Sequence, residues 1–328
     1  MTGSVAIIGG GQIGYAAASA FASEGWDVTL HARSMPDWHD ASLAHFRPYL
    51  LGEDTAPAAD VIVDTIAYDG EDIDRYDPDR VDRLIVISSA SVYCDDKGRT
   101  LDEAAQNGFP QFDGPITEDQ STVAPGPDTY STRKIRMEQR ASELFGDRAT
   151  ILRPCAIHGP WSRHPREWWF VKRMIDGRRR IPLALEGKSQ FQTTAARMIG
   201  AFSAFAARHA QGGVFNLGDA DSPSVLEIGE AIAHHMGVEA EFVGLSRDAD
   251  PFLGRTPWSV PAPFVISSKK ALATGFVEDD AYIMRPEAND WLVAHNPSNW
   301  RAAFPQLAAY PWDLFGYAAE DAALGELG

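Results

Sequence analysis

The stretch that decides the fold is Ser4-Val5-Ala6-Ile7-Ile8-Gly9-Gly10-Gly11-Gln12-Ile13-Gly14. Residues 4–8 form a short apolar run with strand character, and residues 15–22 are predicted to form a helix. Gly9 permits a tight turn, Gly11 lets a backbone approach a pyrophosphate, and Gly14 lets the helix pack closely on the strand. The phosphates of a dinucleotide would then lie at the helix N-terminus. We therefore predict a dinucleotide site at Gly9, Gly11, Gln12, Ile13 and Gly14.

The residues after the second predicted strand bear on the choice of dinucleotide. This strand, residues 27–31, is followed by Ala32-Arg33-Ser34, where an NAD-binding domain usually carries an acidic residue for the ribose hydroxyls. An arginine beside a hydroxyl suits a 2′-phosphate. The sequence therefore favours NADP(H), held by Arg33 and Ser34. NAD(H) stays possible, since Arg33 could be an ordinary surface charge.

Two further apolar runs indicate the type of sheet. Residues 60–65 and 84–88 lack the alternation of a half-exposed strand, which is typical of strands buried on both faces of a parallel sheet. We predict an α/β fold, a Rossmann-type doubly wound parallel sheet with a smaller C-terminal α/β substrate-binding region. Thr65, at the end of one run, is a further cofactor-binding candidate. Any helix within residues 66–83 must be short.

Tyr130 and Lys134 are the candidates for proton transfer. The residues that follow, 135–141, are typical of a helix, and a spacing of four places both side chains on one face. A free phenol titrates near pH ~10, so we expect the Lys134 ammonium to stabilise a Tyr130 phenolate and lower its pKa. The same spacing occurs by chance in many helices, so the assignment depends on the surrounding motifs.

Hydroxyl side chains are concentrated after the 84–88 strand, in Ser88-Ser89-Ala90-Ser91-Val92-Tyr93. Ligands of α/β sheets bind at the carboxyl ends of strands, although serines also form turns there. Residues 95–128, rich in Asp, Gly and Pro, connect this cluster to Tyr130 and could form part of a substrate wall. Ser91 and Tyr93 are therefore candidate substrate contacts.

The composition argues against several classes of protein. A net charge of −17 argues against nucleic acid as a partner, because phosphate binding needs a basic surface. No apolar run reaches the ~18 residues of a membrane span, and no signal peptide precedes the first strand, so we expect a cytoplasmic protein without a membrane partner. Cys94 and Cys155 cannot build a disulfide framework, and no metal site is predicted because no group of residues has the required spacing.

Four motifs occur in a characteristic order: the glycine turn 9–14, the serine cluster 88–93, residues 130–134 and residues 152–160, which read Leu-Arg-Pro-Cys-Ala-Ile-His-Gly-Pro. In this order they resemble the extended branch of the short-chain dehydrogenase/reductase superfamily, which comprises NAD(P)-dependent epimerases, dehydratases and reductases. The resemblance covers about residues 4–237. It implies that Ser89 hydrogen-bonds the substrate oxygen, Tyr130 is the acid/base, and Lys134 holds the nicotinamide ribose. Pro154 is a further cofactor-binding candidate.

Departures from that branch bear on the substrate and the assembly. Its first glycine falls on Ile8 here. Its nucleotide-sugar members usually have asparagine where this chain has Ala156, and an acidic pair that is absent from residues 193–197, which argues against a nucleotide-sugar epimerase. Its dehydratases carry Asp-Glu where this chain has Ala90-Ser91, so dehydration lacks its acid and base. Many relatives dimerise through a long helix for which residues 66–83 leave little room, so we expect a monomer or a non-standard dimer.

We place an NAD(P)-binding Rossmann domain at residues 1–157, to which a strand near 214–217 and a helix at 224–236 could return. Residues 158–328 would be mainly a substrate-binding region with a C-terminal tail. Its many aromatic residues predict a small to medium, partly apolar substrate, with core packing as the alternative. His158, Trp161 and Trp168 lie around the Gly159-Pro160 turn, which faces the substrate in the family, and are candidate substrate residues.

The preferred hypothesis is an NADP(H)-dependent oxidoreductase that reduces a carbonyl or oxidises a secondary alcohol. Tyr130 would act as the acid/base and Ser89 would stabilise the developing alkoxide. An NAD-dependent sugar or nucleotide-sugar epimerase is the alternative. A third hypothesis is a catalytically silent NADP(H)-binding sensor, against which the presence of Ser89, Tyr130 and Lys134 argues.

Overall fold

The computed structural model describes residues 3–246, 250–277, 282–284 and 286–326. The chain divides into two compact units. The first consists of Met1–Ile157, Thr194–Gly218 and Ile266–Asp279, and the second of His158–Thr193, Asp219–Val265 and Asp280–Gly328. The predicted domains extend to residues 1 and 328, which lie outside the described residues.

The strands and helices of the described residues are numbered in chain order. The strands are β1 (Ser4–Ile8), β2 (Asp27–Ala32), β3 (His45–Pro48), β4 (Val61–Asp64), β5 (Arg83–Ile87), β6 (Ala149–Pro154), β7 (Ala156–His158), β8 (Arg180–Leu183), β9 (Thr193–Ala195), β10 (Gly213–Leu217) and β11 (Glu241–Gly244). The helices are α1 (Gln12–Ser23), α2 (Ala104–Asn107), α3 (Tyr130–Phe145), α4 (Trp168–Ile175), α5 (Ala196–His209), α6 (Val225–His235), α7 (Lys269–Ala273), α8 (Glu287–His295), α9 (Trp300–Ala303), α10 (Pro305–Ala308) and α11 (Tyr317–Glu326).

Seven parallel strands form the sheet of the first unit, in the order β10-β6-β5-β4-β1-β2-β3. The strand order reverses between β1 and β4, which is the point where such sheets bind their ligands. The prediction of a Rossmann-type doubly wound parallel sheet is therefore confirmed. β10 is an edge strand of this sheet, whereas α6 belongs to the second unit.

Helices cover both faces of the sheet. Successive side chains of a strand point to opposite faces, and those of β1 are apolar on both, so each face is packed against a helix. Ala6 and Ile8 of β1 belong to a buried cluster with Met137 of α3. Ile7 points the other way, towards α1, where a Cβ added to Gly14 would lie 3.8 Å from its Cγ2. The sheet therefore places both the α1 N-terminus and α3 next to its carboxyl edge.

The link between β4 and β5 contains only a short 3₁₀ turn, Gly70–Asp72. The turn packs on α3, since a Cβ added to Gly70 would lie 3.3 Å from the main-chain oxygen of Arg136. The prediction that any helix in this link is short is confirmed. The close approach of turn and helix explains why a glycine starts it.

The second unit has a parallel pair of strands, β8 and β11, beside several helices. Its core is aromatic: Trp168, Trp169 and Phe170 of α4 are fully buried. No helix in the described part of the chain is both long and apolar enough to cross a membrane.

Candidate active site

The glycine turn has the geometry that a phosphate group requires. Gly9 has φ +108°, and a Cβ there would lie 2.3 Å from Oγ1 of Thr65, whereas one on Gly14 would lie 2.0 Å from the main-chain oxygen of Gly9. A Cβ on Gly11 would meet nothing within 4 Å, so the space beside this backbone is open. Oε1 of Gln12 is buried without a hydrogen-bond partner in the described structure. An open backbone at the start of a twelve-residue helix, beside a polar atom without a partner, fits a dinucleotide pyrophosphate.

Thr65 has a structural part in this turn. Its Oγ1 donates a hydrogen bond to the main-chain oxygen of Ile8 at 2.8 Å, and its N–H donates to the same oxygen at 3.0 Å. The hydroxyl therefore fastens the end of β4 to the end of β1. The Thr65 hydroxyl also occupies the space that a Cβ on Gly9 would need, so it forms one wall of the glycine turn.

Arg33 and Ser34 follow β2 directly, and both are exposed. The loop that they begin folds back on the glycine turn, because Nε1 of the buried Trp38 donates to the main-chain oxygen of Gly10 at 2.8 Å. Sequence analysis missed Trp38, since a lone tryptophan between polar residues carries no local signal. Its contact holds the loop that carries Arg33 against the glycine turn.

Tyr130 and Ser89 lie together. Helix α3 begins at Tyr130, whose side chain lies close enough to the Ser89 hydroxyl for that hydroxyl to influence its pKa. Burial raises the pKa of Tyr130 to about 12, while the Ser89 hydroxyl acts to lower it. The residue as a whole is 41% exposed. With its pKa raised, the Tyr130 hydroxyl is protonated at neutral pH.

Lys134 lies one helical turn further along α3. Its Nζ donates to the main-chain oxygens of Ala67 at 2.6 Å and Ile87 at 2.8 Å, and lies 5.7 Å from the centre of the Tyr130 ring. The residue is 6% exposed, and burial lowers its pKa to about 8 against the opposing charge of Asp64. Burial sets the direction of both shifts, so the pKa of Tyr130 is raised where a lowered pKa was expected, and the effect of Lys134 on that pKa stays a prediction.

Large apolar side chains stay exposed beside these groups. Ile66 and Tyr68 are 42% and 41% exposed, and the rings of Tyr68 and Tyr130 lie 5.7 Å apart. Ile66 borders the glycine turn, since its Cγ2 would lie 2.6 Å from a Cβ on Gly9. Residues 65–68 therefore join the glycine turn to Tyr130 with an exposed apolar surface, which is typical of a ligand site.

The start of α3 is attached to the serine turn by contacts that sequence analysis did not assign. The N–H of Ser131 donates to Oδ2 of Asp102 at 2.7 Å, and its Oγ donates to the main-chain oxygen of Ser91 at 2.9 Å. Ser131 Oγ also bonds Oγ of Ser91 at 2.8 Å. Ser91, predicted as a substrate contact, thus positions the helix that carries Tyr130. Asp102 lies in a segment without periodicity, so nothing in the sequence singled it out.

A buried ionic network lies under the site. Glu138 of α3 accepts hydrogen bonds from Nε of Arg153 at 2.9 Å and from Oγ of Ser88 at 2.5 Å. Both ionic side chains are more than nine-tenths buried. The network ties β5, β6 and α3 together one turn below Lys134. Glu138 stands four residues after Lys134, a spacing that could have indicated a shared helix face.

The remaining predicted residues have other surroundings. Tyr93 is fully buried and its hydroxyl donates to Oδ1 of Asn216 at 2.7 Å, so its prediction as a substrate contact is not supported. Pro154 is the buried last residue of β6. In the second unit, the buried His158 bonds Oδ2 of Asp219 at 2.8 Å and Trp161 packs on Trp291. Trp168, 1% exposed in α4, is a core residue, contrary to its prediction as a substrate contact.

Neither a protein-family model nor a curated protein matches the chain. Solved structures do. The chain is similar to UDP-N-acetylglucosamine 4-epimerase from Bacillus cereus, with 15% identity and a TM-score of 0.63 over 90% of this chain and 100% of the other. It is also similar to dTDP-glucose 4,6-dehydratase from Bacillus anthracis in complex with NAD, with 16% identity and a TM-score of 0.62 over 92% and 99% of the two chains.

A third solved structure is a variant of UDP-glucuronic acid 4-epimerase from Bacillus cereus, bound to a fluorinated UDP-glucuronic acid and NAD. It is 15% identical, with a TM-score of 0.63 over 89% of this chain and 99% of the other. Identities this low establish the fold alone. The chain therefore has the fold of the extended short-chain dehydrogenases/reductases, as its motifs predict.

Proposed function

We propose that the chain is a nicotinamide-dependent enzyme that interconverts a secondary alcohol and a carbonyl. The observation that carries the proposal is the Lys134 ammonium 5.7 Å from the Tyr130 ring on the same face of α3, with the Ser89 hydroxyl close enough to act on the Tyr130 phenol. A proton donor, a second hydroxyl and a cation are the groups that this reaction needs at a substrate oxygen. Residues 65–68 connect them to the glycine turn.

Each residue has a separate task. Tyr130 holds a proton at its hydroxyl oxygen at neutral pH and donates it to the oxygen of the carbonyl being reduced. Ser89 donates to the same oxygen and stabilises its developing charge. An ammonium has three N–H donors, and Lys134 uses two on main-chain oxygens, which leaves one for a ribose hydroxyl. The nicotinamide, when bound, supplies or accepts the hydride.

The finer proposal is a reductase or dehydrogenase that uses NADP(H) and acts on a small to medium, partly apolar molecule. Arg33 supports the cofactor choice, since it is exposed directly after β2 where a 2′-phosphate would lie. Two of the similar solved structures contain NAD, so NAD(H) is the competing cofactor.

An NAD-dependent sugar epimerase is the second candidate, and the similar solved structures favour it. Several of them are UDP-sugar 4-epimerases, which makes a transient oxidation on a sugar ring a specific alternative. Ala156 argues against it. The residue is 1% exposed and has no polar side-chain atom for the diphosphate of a sugar nucleotide.

The test uses cofactor absorbance and product analysis together. The chain is incubated with ketones and either NADPH or NADH, with alcohols and either NADP⁺ or NAD⁺, and separately with UDP-galactose and NAD⁺. Net consumption of the nicotinamide supports the reductase, whereas a sugar epimer formed without net change in absorbance supports the epimerase. Tyr130→Phe should lower kcat at least about 10²-fold with cofactor affinity retained.

Tyr317→Phe is the matched control, since it removes a hydroxyl that bonds Asp176 in the second unit. Its turnover should equal that of the unaltered chain. Turnover that survives Tyr130→Phe refutes the acid/base assignment. Cofactor binding without turnover of any compound would support the silent sensor instead.

A further inference from the structure

The second unit contains a cavity of about 730 Å³ between α6, the start of α8 and residues 221–223. Its volume is in the range of small-molecule sites, ~300–1,000 Å³. None of the residues described here as part of the proposed reaction lines it. Its lining consists of Gln190, Asp221, Ser222, Pro223, Glu227, Glu230, Ala231, Ile232, His234, His235, Tyr282, Ile283, Pro286 and Asn289.

The charged groups of this cavity have one sign. Asp221, Glu227 and Glu230 contribute three carboxylates, and the described lining residues include neither lysine nor arginine. Glu227 is held ionised, because hydrogen bonds from the backbone and side chain of Ser224 lower its pKa. Of the two histidines, His235 is engaged with Oδ1 of Asp290 at 2.6 Å. The cavity is therefore electronegative.

Asn289 gives an independent indication of a ligand. The residue is 7% exposed, and its Oδ1 is buried without a hydrogen-bond partner in the described structure. Oγ of Ser222, which also lines the cavity, is likewise buried without a hydrogen-bond partner in the described structure. A buried acceptor without a donor costs about 1–3 kcal/mol, so such atoms are rare unless a ligand or water satisfies them. An amide oxygen only accepts, so the missing partner is an N–H or O–H donor.

The surroundings of Asp221 disfavour its negative charge, which a bound cation would stabilise. One of its oxygens accepts from the N–H of Tyr282 at 2.8 Å, yet burial raises the pKa of the carboxyl and the charge of Asp219 adds to the effect. A nearby cation would stabilise the ionised form. Ala231 and Ile283 also line the cavity and offer it an apolar surface.

We propose that this cavity binds a small organic ammonium ion, whose N–H donors reach Asn289 and Asp221 and whose hydrocarbon part lies on Ala231 and Ile283. A metal ion fits less well. In the described part of the chain, no group of three or more His, Cys, Asp or Glu side chains could hold one. An organic cation also accounts for the volume, which far exceeds the space that one ion occupies.

The experiment compares two molecules of the same shape. Cyclohexylmethylamine is cationic at neutral pH, and cyclohexylmethanol replaces the ammonium by a hydroxyl. Isothermal titration calorimetry on the full chain at low salt should give saturable, one-site binding of the amine, at least about tenfold tighter than that of the alcohol. The amine affinity should fall as salt is added. Calcium chloride is titrated in a parallel arm.

Two variants locate the site, and a third serves as the control. Asp221→Asn keeps the acceptor for Tyr282 but removes the charge, and Asn289→Leu removes the buried acceptor; each should weaken amine binding about tenfold. Glu239→Gln removes an exposed carboxylate of the same unit that does not line the cavity, and should leave binding unchanged.

Three results overturn the proposal: no saturation by the amine at about 10 mM, equal affinity for amine and alcohol, or unchanged affinity in both site variants. Displacement of the amine by one equivalent of calcium would also overturn the proposal, because it would show that the cavity binds a metal ion. The comparison of amine and alcohol uses the unaltered chain, so it decides the matter even where a variant does not fold.

Discussion

The Lys134 ammonium lies 5.7 Å from the centre of the Tyr130 ring, and burial shifts the two pKa values in opposite directions, away from each other. The pKa of Tyr130 rises to about 12 and that of Lys134 falls to about 8. Both shifts favour the neutral forms, as expected when two ionisable groups leave water. At neutral pH the phenol therefore holds its proton, as the proton donor of the proposed carbonyl reduction must.

Lys134 should titrate well below the ordinary range of a lysine, because burial lowers its pKa. The chain has six lysines, so a ¹³C-labelled sample resolves them by NMR. We expect one side chain to titrate near pH 8, lowered from about 10.5 by burial, and Lys134→Met to remove that resonance. A resonance of Lys134 that titrates above pH 10 would contradict the buried environment.

The same shift predicts a pH dependence of stability. The folded chain binds Lys134's proton less tightly than the unfolded chain does, so between about pH 8 and 10.5 the unfolded state holds more protons. The free energy of unfolding should therefore rise with pH across that window, by about 3 kcal/mol from this group. Urea unfolding of Lys134→Met should lack this contribution, which the difference between the two pH profiles measures.

Two glycines of the turn should respond differently to alanine. In Gly14→Ala the new Cβ would lie 2.0 Å from the main-chain oxygen of Gly9, so the helix must move and stability should fall by at least about 2 kcal/mol. In Gly11→Ala the Cβ meets open space, and φ −81° suits alanine, so stability should stay within about 1 kcal/mol.

Cofactor binding separates the two glycines further. The Cβ of Gly11→Ala would fill the space assigned to the pyrophosphate, so a folded protein that no longer binds NADPH or NADH is expected. Calorimetric titration with each nucleotide provides the measurement. A Gly11→Ala chain that binds both with unchanged affinity would place the phosphates elsewhere.

The elements that the sequence predicted are those with local signals. β1 has the predicted bounds, and the helix indicated by residues 135–141 is α3, which begins at Tyr130 after a capping box of Thr129 and Thr132. Apolar runs and glycine spacing depend on neighbouring residues, so they can be read along the chain. The parallel sheet follows from such runs.

The parts that sequence analysis missed depend on distant residues. Asp102, Glu138 and Trp38 acquire their roles from partners 29, 15 and 28 positions away. The upward direction of the pKa shift of Tyr130 was also not predicted, because a four-residue spacing indicates a neighbouring cation but not the burial of the phenol. Burial is a property of the packed fold.

Arg33 should determine the cofactor preference. A charge reversal, Arg33→Glu, would repel a 2′-phosphate and could accept from ribose hydroxyls, so affinity for NADPH should fall at least about tenfold while affinity for NADH is kept or improved. Arg80→Glu is the matched control. Arg80 is exposed and precedes β5, so it lies at the amino ends of the strands, whereas Arg33 follows the carboxyl end of β2. Equal losses in both variants would indicate a general charge effect, and unchanged NADPH binding in Arg33→Glu would remove the case for NADP(H).

The buried Glu138–Arg153 pair should be a main determinant of stability near the site. Glu138→Gln leaves the Arg153 guanidinium buried without its counter-charge, which typically costs about 3–5 kcal/mol. Glu143→Gln on the same helix breaks an exposed pair with Arg140 and should destabilise the chain far less. Urea unfolding of the two variants makes the comparison.

The double variant Glu138→Leu with Arg153→Met distinguishes the charge from the packing. Because it removes both charges, it should recover most of the stability that Glu138→Gln loses. The negative charge of Glu138 also raises the pKa of Lys134, so in Glu138→Gln the lysine resonance should titrate below its value in the unaltered chain. A double variant as unstable as Glu138→Gln, with the Lys134 titration unmoved, would mean that Glu138 acts through shape alone and that its charge reaches neither Arg153 nor the lysine of the site.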